Sequence, residues 1–250
     1  MDPVCFYIGS RAVYWYGIMV ALGFLACVAH LTVLGIRERR PPSFGSDLAF
    51  WMMLSGIIGA RIAYVAANIN YYWQDPLAII RVDQGGLIYY GGFIGAFITG
   101  VVFARIKKLN ILALADYAVT ALPLGHAFGR VGCFLNGCCY GAVTSVSWGV
   151  SQQEAIRHPV QLYEAFLNFV IYALLTWFYP RRKHNGEILA IYCIIYPLGR
   201  FLLEFFRGDE RLGWHGLSYA KIISLGLIAV GVIIWFVVSR SNQKSAVRSQ

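Results

Sequence analysis

Arg61, Arg130, Arg200 and Arg207, with the carboxylates Glu164 and Glu204, stand inside or at the ends of stretches otherwise made of Leu, Ile, Val, Phe and Gly. A guanidinium is planar, permanently charged and forked, so it matches the oxygens of a phosphate or a carboxylate two at a time. Such groups are expensive in an apolar run, at least about 2.5 kcal/mol each in hydrocarbon on insertion scales, so they are expected to face one another inside a bundle. Arg200, Glu204 and Arg207 follow at i, i+4 and i+7, a spacing that predicts one helical face.

The elements that must position these groups can be read from hydropathy. The chain has 250 residues, 58% hydrophobic and only 13% charged. Seven runs are long enough to cross a hydrocarbon core, which needs about 20 residues at 1.5 Å each, and they fall at 13–36, 47–67, 87–104, 110–131, 159–179, 186–206 and 217–238. Backbone groups in lipid must be satisfied within the segment, so the fold class is all-α: one seven-helix transmembrane domain over 1–238 and a basic tail over 239–250. The first run is too long for a signal-peptide core and lacks a small-residue cleavage site, so it is expected to stay in the mature chain.

The net charge of +9 lies in short blocks between these runs rather than on one exposed face, which argues against a nucleic-acid partner. Arg37, Arg39, Arg40, Arg105, Lys107, Lys108, Arg181, Arg182, Lys183, Arg240, Lys244 and Arg248 follow odd-numbered spans, against Arg11, Arg81, Arg157 and Arg211 on the other side. The positive-inside rule then puts the N-terminus outside and the C-terminus in the cytoplasm. In that orientation Arg61, Arg130, Glu164, Arg200, Glu204 and Arg207 all fall toward the outer leaflet, where Tyr16, Tyr89 and Tyr90 also enter their helices. Arginines outnumber carboxylates there, and the ligand such a cluster predicts is an anionic phospholipid headgroup.

Each residue taken alone has a plainer reading. Arg200 and Glu204 make an intrahelical ion pair, Arg207 snorkels to the interface, and the tyrosines belong to an aromatic belt. Asp116 complements the dipole of its own helix, and His126 and His30 are satisfied core or interfacial histidines. Convergence on one depth is what favours the site.

Three segments are more specific. Residues 85–100, GGLIYYGGFIGAFITG, are rich in glycine, suited either to close helix packing or to an approach of lipid and anion to the backbone. Residues 125–141, GHAFGRVGCFLNGCCYG, are expected to leave a helix through a polar turn carrying Arg130 and Asn136 and lining a cavity. Residues 158–164, HPVQLYE, open the next helix with His158, Gln161 and Glu164 on neighbouring faces. Cys133, Cys138 and Cys139 cluster in sequence but have no familiar ligand spacing and no evident fourth ligand, so neither a metal nor another cofactor is expected, and a packed structural role is preferred.

GGLIYYGG, GRVGCFLNGCCYG, HPVQLYEA and GRFLLEFFRGDE, in this order among seven spans, resemble the prolipoprotein diacylglyceryl transferase family. The resemblance runs from the WYG at Tyr16 to about residue 212. It implies an enzyme of the bacterial inner membrane, multi-pass and with its site toward the outer side. Its substrates would be phosphatidylglycerol and a lipobox-containing prolipoprotein, and it would move a diacylglyceryl group onto the lipobox cysteine as a thioether, releasing glycerol phosphate. Position by position, Arg130 matches the arginine of the family's Gly-Arg-x-Gly segment, Asn136 and Gly141 its later Asn and Gly, and Arg200 the arginine of the sixth helix. Glu204 and Arg207 follow at the family's spacing, and Tyr16 matches the aromatic of the first helix. The sequence departs from the family pattern at Cys133 for an Asn, Cys138 for a Glu and Tyr90 for a His.

The chemistry so implied breaks a carbon–oxygen bond to phosphate while a thiolate attacks the carbon. Arg130 and Arg200 are candidates to stabilise the charge on the departing phosphate ester. An acceptor thiol with an ordinary pKa near 8.5 needs activation, and Glu204, Glu164 and His158 all qualify as its base. Tyr90, with a reference pKa near 10, suits headgroup orientation better than proton abstraction. Tyr16, Arg61, Asn136, Gly141, His158, Glu164 and Arg207 complete the candidate binding set. The competing readings are a noncatalytic or altered-substrate lipid-binding member of the family, and an anion transporter. The transporter would need a polar track across the whole membrane, and beyond Asp116 the inner halves of the spans offer little.

Overall fold

The computed structural model describes residues 3–81, 85–208, 213–214 and 217–248. Arg211 of the charge count, and Asp209 and Glu210 of the last motif, lie outside the described residues. Seven helical segments are long and apolar enough to span a membrane: 15–37, 44–67, 89–106, 111–135, 160–181, 187–206 and 219–240. Each lies within a few residues of the run predicted from hydropathy, because a helix is the one local structure that satisfies an apolar segment's backbone from within. The chain is a multi-pass membrane protein. A hairpin of β1 (Val4–Ile8) and β2 (Arg11–Tyr14) precedes the first helix, α1 (Trp15–Arg37).

The chain divides into two compact units. Residues 28–114 form one of them, which contains α2 (Phe44–Ala67), α3 (Ile69–Gln74) and α4 (Tyr89–Ile106). Here the glycines of 85–100 serve packing. A Cβ on Gly59 would stand 2.4 Å from the Gly91 carbonyl oxygen, and one on Gly95 would stand 2.3 Å from that of Ser55, so α2 and α4 approach at backbone distance. Phe44 and Phe103 close the far end of the pair with ring centroids 5.5 Å apart.

Residues 1–27 and 115–250 form the other unit. The fourth span consists of α5 (Ile111–Val119) and α6 (Leu122–Leu135), divided just before Pro123, which lacks the N–H that a continuous ladder would use. It is followed by a short hairpin of β3 (Val150–Gln152) and β4 (Ala155–Arg157), then by α7 (Val160–Phe178) and α8 (Glu187–Leu203). A two-residue pair, β5 (Gly213–Trp214) and β6 (Leu217–Ser218), leads into α9 (Tyr219–Arg248). Within this unit α6 packs on α7, α7 on α8 and α8 on α9. Gly199 admits Leu167 and Gly231 admits Ile194, since a Cβ at either would clash at 2.4 and 2.8 Å.

Three local expectations change. Arg130 sits in the body of α6 and not in a turn, because the helix continues through Gly132, which lies against Tyr16 and Met19, to a C-cap at Asn136. Arg207 does not share a helical face with Arg200 and Glu204. After Leu203 the chain tightens into a 3₁₀ turn, Glu204–Phe206, and Arg207 then extends at φ −78°, ψ 142° to bridge Gly141. Asp116 serves another helix than its own: its carboxylate accepts hydrogen bonds from the N–H groups of Gly186 (2.6 Å) and Leu189 (2.9 Å), capping α8. Orphan N–H groups at a helix start attract an anion, and such a cap contributes about 1 kcal/mol.

Candidate functional site

α7 supplies the centre of the site in the unit formed by residues 1–27 and 115–250. Its buried positions, Val160, Gln161, Glu164, Asn168, Ile171 and Leu175, recur every three or four residues and so make one stripe facing neighbouring helices. Gln161, Glu164 and Asn168 on this stripe are wholly buried. A buried carboxylate persists when cations meet it. Arg130 from α6 places Nη2 3.1 Å from Glu164 Oε1, and Arg200 from α8 places Nε 3.7 Å from the same oxygen. Arg200 also directs Nη1 at Glu204 Oε2, 2.7 Å away, while Glu204 Oε1 accepts the Ser218 hydroxyl at 2.7 Å.

His126, one turn before Arg130, joins the cluster of Arg130 and Glu164, beyond the satisfied core histidine that its sequence context suggests. Arg130 Nε donates to its Nε2 at 3.1 Å. Arginine is donor only, so that ring nitrogen must carry a lone pair and the ring is neutral with its proton on Nδ1. The 3.5 Å approach of the same nitrogen to Glu164 is therefore not an ion pair. Its ring leans on Tyr196, centroids 5.3 Å apart, and Tyr196 stacks on Tyr192. The signal that could have found it is the i, i+4 spacing of His126 and Arg130 in an apolar run. Asn168, absent from the candidate set, carries the same signal relative to Glu164 and donates to the Glu164 carbonyl oxygen at 2.8 Å.

The oxygens of Glu164 are unevenly used. Both are buried with no hydrogen-bond partner among the described residues, and the two arginines meet Oε1 as ion pairs. A buried carboxylate oxygen without a donor is costly unless a ligand brings one.

The turn after α6 forms the second half of the site. Gly137 at φ +69° and Cys139 at φ +61° reverse the chain, and Cys138 N–H closes onto the Cys133 carbonyl at 3.1 Å. Next comes a backbone junction: Ala142 N donates to Phe206 O (2.8 Å), His158 N to Ala142 O (3.0 Å) and Gly208 N to Tyr140 O (3.2 Å). Gly141 lies at its centre, where a Cβ would stand 2.2 Å from the His158 carbonyl oxygen. Arg157 donates to the Gly141 carbonyl at 3.1 Å. Gly141 thus positions the turn through its backbone. The junction carries Arg207 to the thiols. A hydrogen bond from Cys133, then Arg207 and Arg130 working against the cost of burial, hold the Cys139 thiol below its ordinary value, at about 5. Burial and the neighbouring Cys139 push Cys138 upward.

The remaining predicted residues are distributed unevenly. Tyr16, at the start of α1, lies against Gly132 and within electrostatic reach of Arg130 and the three thiols. Asn136 is exposed at the C-cap of α6 and lines a cleft of about 410 Å³ with Gly137, Ser151, Gln152, Gln153 and Glu154. His158 Nδ1 lies 3.3 Å from the Tyr163 hydroxyl, which also accepts the Trp148 indole N–H at 2.7 Å, so this histidine anchors the junction and is not brought to the arginines.

Arg61 and Tyr90 belong to the unit of residues 28–114. All five N–H groups of Arg61 end on backbone carbonyls: Ile79 (2.8 Å), Gly85 (2.7 Å), Gly86 (3.0 Å), Ala78 (2.6 Å) and Arg81 (3.1 Å). Three of these carbonyls lie at the C-terminal end of the 3₁₀ turn Pro76–Ile80, where orphan acceptors gather. Tyr90 is exposed, its ring 5.8 Å from that of Tyr89.

A model of the family described as prolipoprotein diacylglyceryl transferase matches residues 3–237. The chain is similar to proteins named phosphatidylglycerol–prolipoprotein diacylglyceryl transferase in several bacteria. It is 34% identical to that of Pseudoalteromonas translucida, over 99% of this chain and 97% of the relative. The identity is 33% with that of Clostridioides difficile, over 98% of each, and 36% with that of Geobacter sulfurreducens, over 96% of each.

Proposed function

The chain belongs to the prolipoprotein diacylglyceryl transferase family, and from this premise we propose that it transfers the diacylglyceryl group of phosphatidylglycerol to the lipobox cysteine of a prolipoprotein. One observation carries the assignment of the chemistry to particular residues: two arginines from different helices meet on one oxygen of a single buried carboxylate, and neither of its oxygens has a hydrogen-bond donor among the described residues. The phosphate of the lipid takes the uncommitted N–H groups of Arg130 and Arg200. As the bond between glyceryl carbon and phosphate oxygen breaks, its electron pair leaves on that oxygen, and these donors stabilise the charge. Removing one such donor typically costs about 2.7 to 4 kcal/mol of transition-state stabilisation.

Glu164 has two tasks in this scheme. Through Oε1 it aims both guanidinium groups, and through Oε2 it accepts a hydroxyl of the glycerol headgroup, the donor that the buried oxygen lacks. Phosphatidylglycerol brings such a hydroxyl beside its phosphate. Glu204, with both oxygens engaged, orients Arg200 and is a poor choice of base. The acceptor thiol gives its proton to solvent water, its thiolate favoured by the field of Arg130 and Arg207 beside the turn of Cys133 to Cys139.

Arg130, Glu164 and Arg200 lie at one end of their spans, the end from which Tyr16 enters. The asymmetry of loop charge supports that end being the outer face of the cytoplasmic membrane, where exported precursors emerge. The test is transfer of radiolabel from phosphatidylglycerol to the cysteine of a lipobox peptide by the purified protein. Label on the peptide, lost with Arg130→Ala, is expected. Unlabelled peptide under conditions where the lipid binds would instead favour a noncatalytic lipid-binding protein.

A further inference from the structure

Cys133, Cys138 and Cys139 are unsuited to a metal by sequence, since no standard ligand spacing relates them. Their side chains nevertheless converge. Cys133 closes the last turns of α6, the chain reverses through Gly137 and Cys139, and all three Sγ atoms lie within 4.8 Å of one another. None is in a disulfide, and each is partly exposed. The arrangement is held by the backbone, through the Cys138 N–H on the Cys133 carbonyl and the junction of Tyr140, Gly141 and Ala142 with Phe206, Arg207 and Gly208. Cys139 keeps a left-handed backbone that residues with a side chain seldom adopt.

Three thiols in one place suit a soft ion. Tetrahedral zinc with sulfur ligands at about 2.3 Å sets the sulfurs about 3.8 Å apart, a contraction of at most about 1 Å from the spacing here. Three thiolates on a divalent ion leave a net negative charge, and Arg207 and Arg130 both interact electrostatically with the cluster. Among the described residues no fourth His, Cys, Asp or Glu joins the group. Three protein ligands and a fourth position open to substrate is the pattern of zinc sites that do chemistry, whereas purely structural sites fill all four. The proposed reaction, moreover, alkylates a thiol.

We propose that Cys133, Cys138 and Cys139 bind one zinc ion whose fourth position takes the sulfur of the acceptor cysteine, on the side of Arg130, one of the two arginines that hold the lipid phosphate. The role of the fourth position rests on the transferase reading above; binding of the ion by the three cysteines does not. On coordination the acceptor S–H gives its proton to water. A sulfur lone pair then forms the bond to the glyceryl carbon, and the carbon–oxygen pair departs on the phosphate oxygen. Nothing is oxidised or reduced. The product thioether is neutral and a weaker ligand than the thiolate, so it leaves the ion.

The experiment uses the full chain in detergent. Elemental analysis after zinc loading and desalting is expected to find one equivalent per chain, with three thiols protected from alkylation. Cys133→Ser, Cys138→Ser and Cys139→Ser should each weaken zinc retention at least about tenfold while leaving the helical circular dichroism unchanged. Loading with cobalt should produce a thiolate-to-metal charge-transfer band that shifts on addition of a lipobox peptide and not of its Cys→Ser counterpart. Substoichiometric zinc in the loaded protein, or a disulfide among the three residues in freshly isolated protein, would overturn the proposal. Full transfer activity in metal-stripped protein that still needs Arg130 would overturn the role of the fourth position and leave the transferase reading intact. Stoichiometric zinc and a peptide-dependent cobalt spectrum without any transfer of label would support the site and count against that reading.

Discussion

Arg61 and Arg200 are equally buried, each about 8% exposed, and both stand in apolar helices, yet they are spent differently. In the unit of residues 28–114, Arg61 gives every donor to backbone carbonyls of its own neighbourhood, with the rings of Tyr72 and Tyr64 at 5.4 and 5.7 Å from the guanidinium carbon. In the other unit, Arg130 and Arg200 are held by carboxylates, and among the described residues several of their N–H groups remain uncommitted. Burial of an arginine therefore says little about ligand chemistry. Counting where its five donors go says more, because a guanidinium saturated by carbonyls would have to break its own fold to grip a phosphate.

The contrast can be broken most directly at Arg130. Arg130→Ala should lower label transfer by about 100- to 1000-fold, the usual cost of one donor to a developing oxyanion, with insertion into the membrane unchanged. Arg200→Lys keeps the charge but loses the fork and should lose most activity; normal transfer by it would remove the geometric role. Glu164→Gln puts an amide where both arginines converge and is expected to lower kcat/KM for phosphatidylglycerol by about 10- to 100-fold, the range for losing a hydrogen bond to a charged group. A kinetic profile identical to the parent would show that Oε2 receives nothing from the substrate.

Arg61→Lys sharpens the comparison from the other side. Three donors in place of five leave carbonyls at the 3₁₀ turn unmet, at a cost of about 2 kcal/mol, so the midpoint of thermal unfolding in detergent should fall while transfer per folded molecule persists. Loss of transfer in an equally stable Arg61→Lys protein would return Arg61 to the substrate site. The smallest effect is expected at Asp116→Ala, which uncaps α8 at about 1 kcal/mol. A slightly lower unfolding midpoint and unaltered kinetics would mark Asp116 as purely structural.

Much of the candidate site is legible in the amino-acid sequence. Arg130, Arg200, Glu164 and Glu204 stand out because charge in an apolar run is expensive, and three of the four motifs lie in the unit that brings these residues together. The differences between expectation and structure share one cause, that a hydrogen-bond partner is invisible in a linear chain. His126 and Asn168 do not stand out because an uncharged polar side chain costs little enough to pass for filler. Arg61 does stand out, because a sequence records that a charge is present and not where its hydrogen bonds end. Arg207 falls on a predicted helical face because the 3₁₀ tightening at Glu204 leaves no mark in periodicity, being fixed by pairing with Gly141, 66 residues earlier in the chain.

Sequence alone determined the seven spans, since hydrocarbon requires about 20 apolar residues per crossing and any such run folds as a helix whatever its neighbours. It also carried the ordered motifs that align this chain with its relatives. Only the tertiary structure decided which arginines keep uncommitted donors, which buried carboxylate two of them share, and that three cysteines without a recognised spacing share one corner. Those properties depend on atoms contributed by distant segments, and a hydrogen bond, unlike a hydrophobic run, has no local signature until both of its ends are in place.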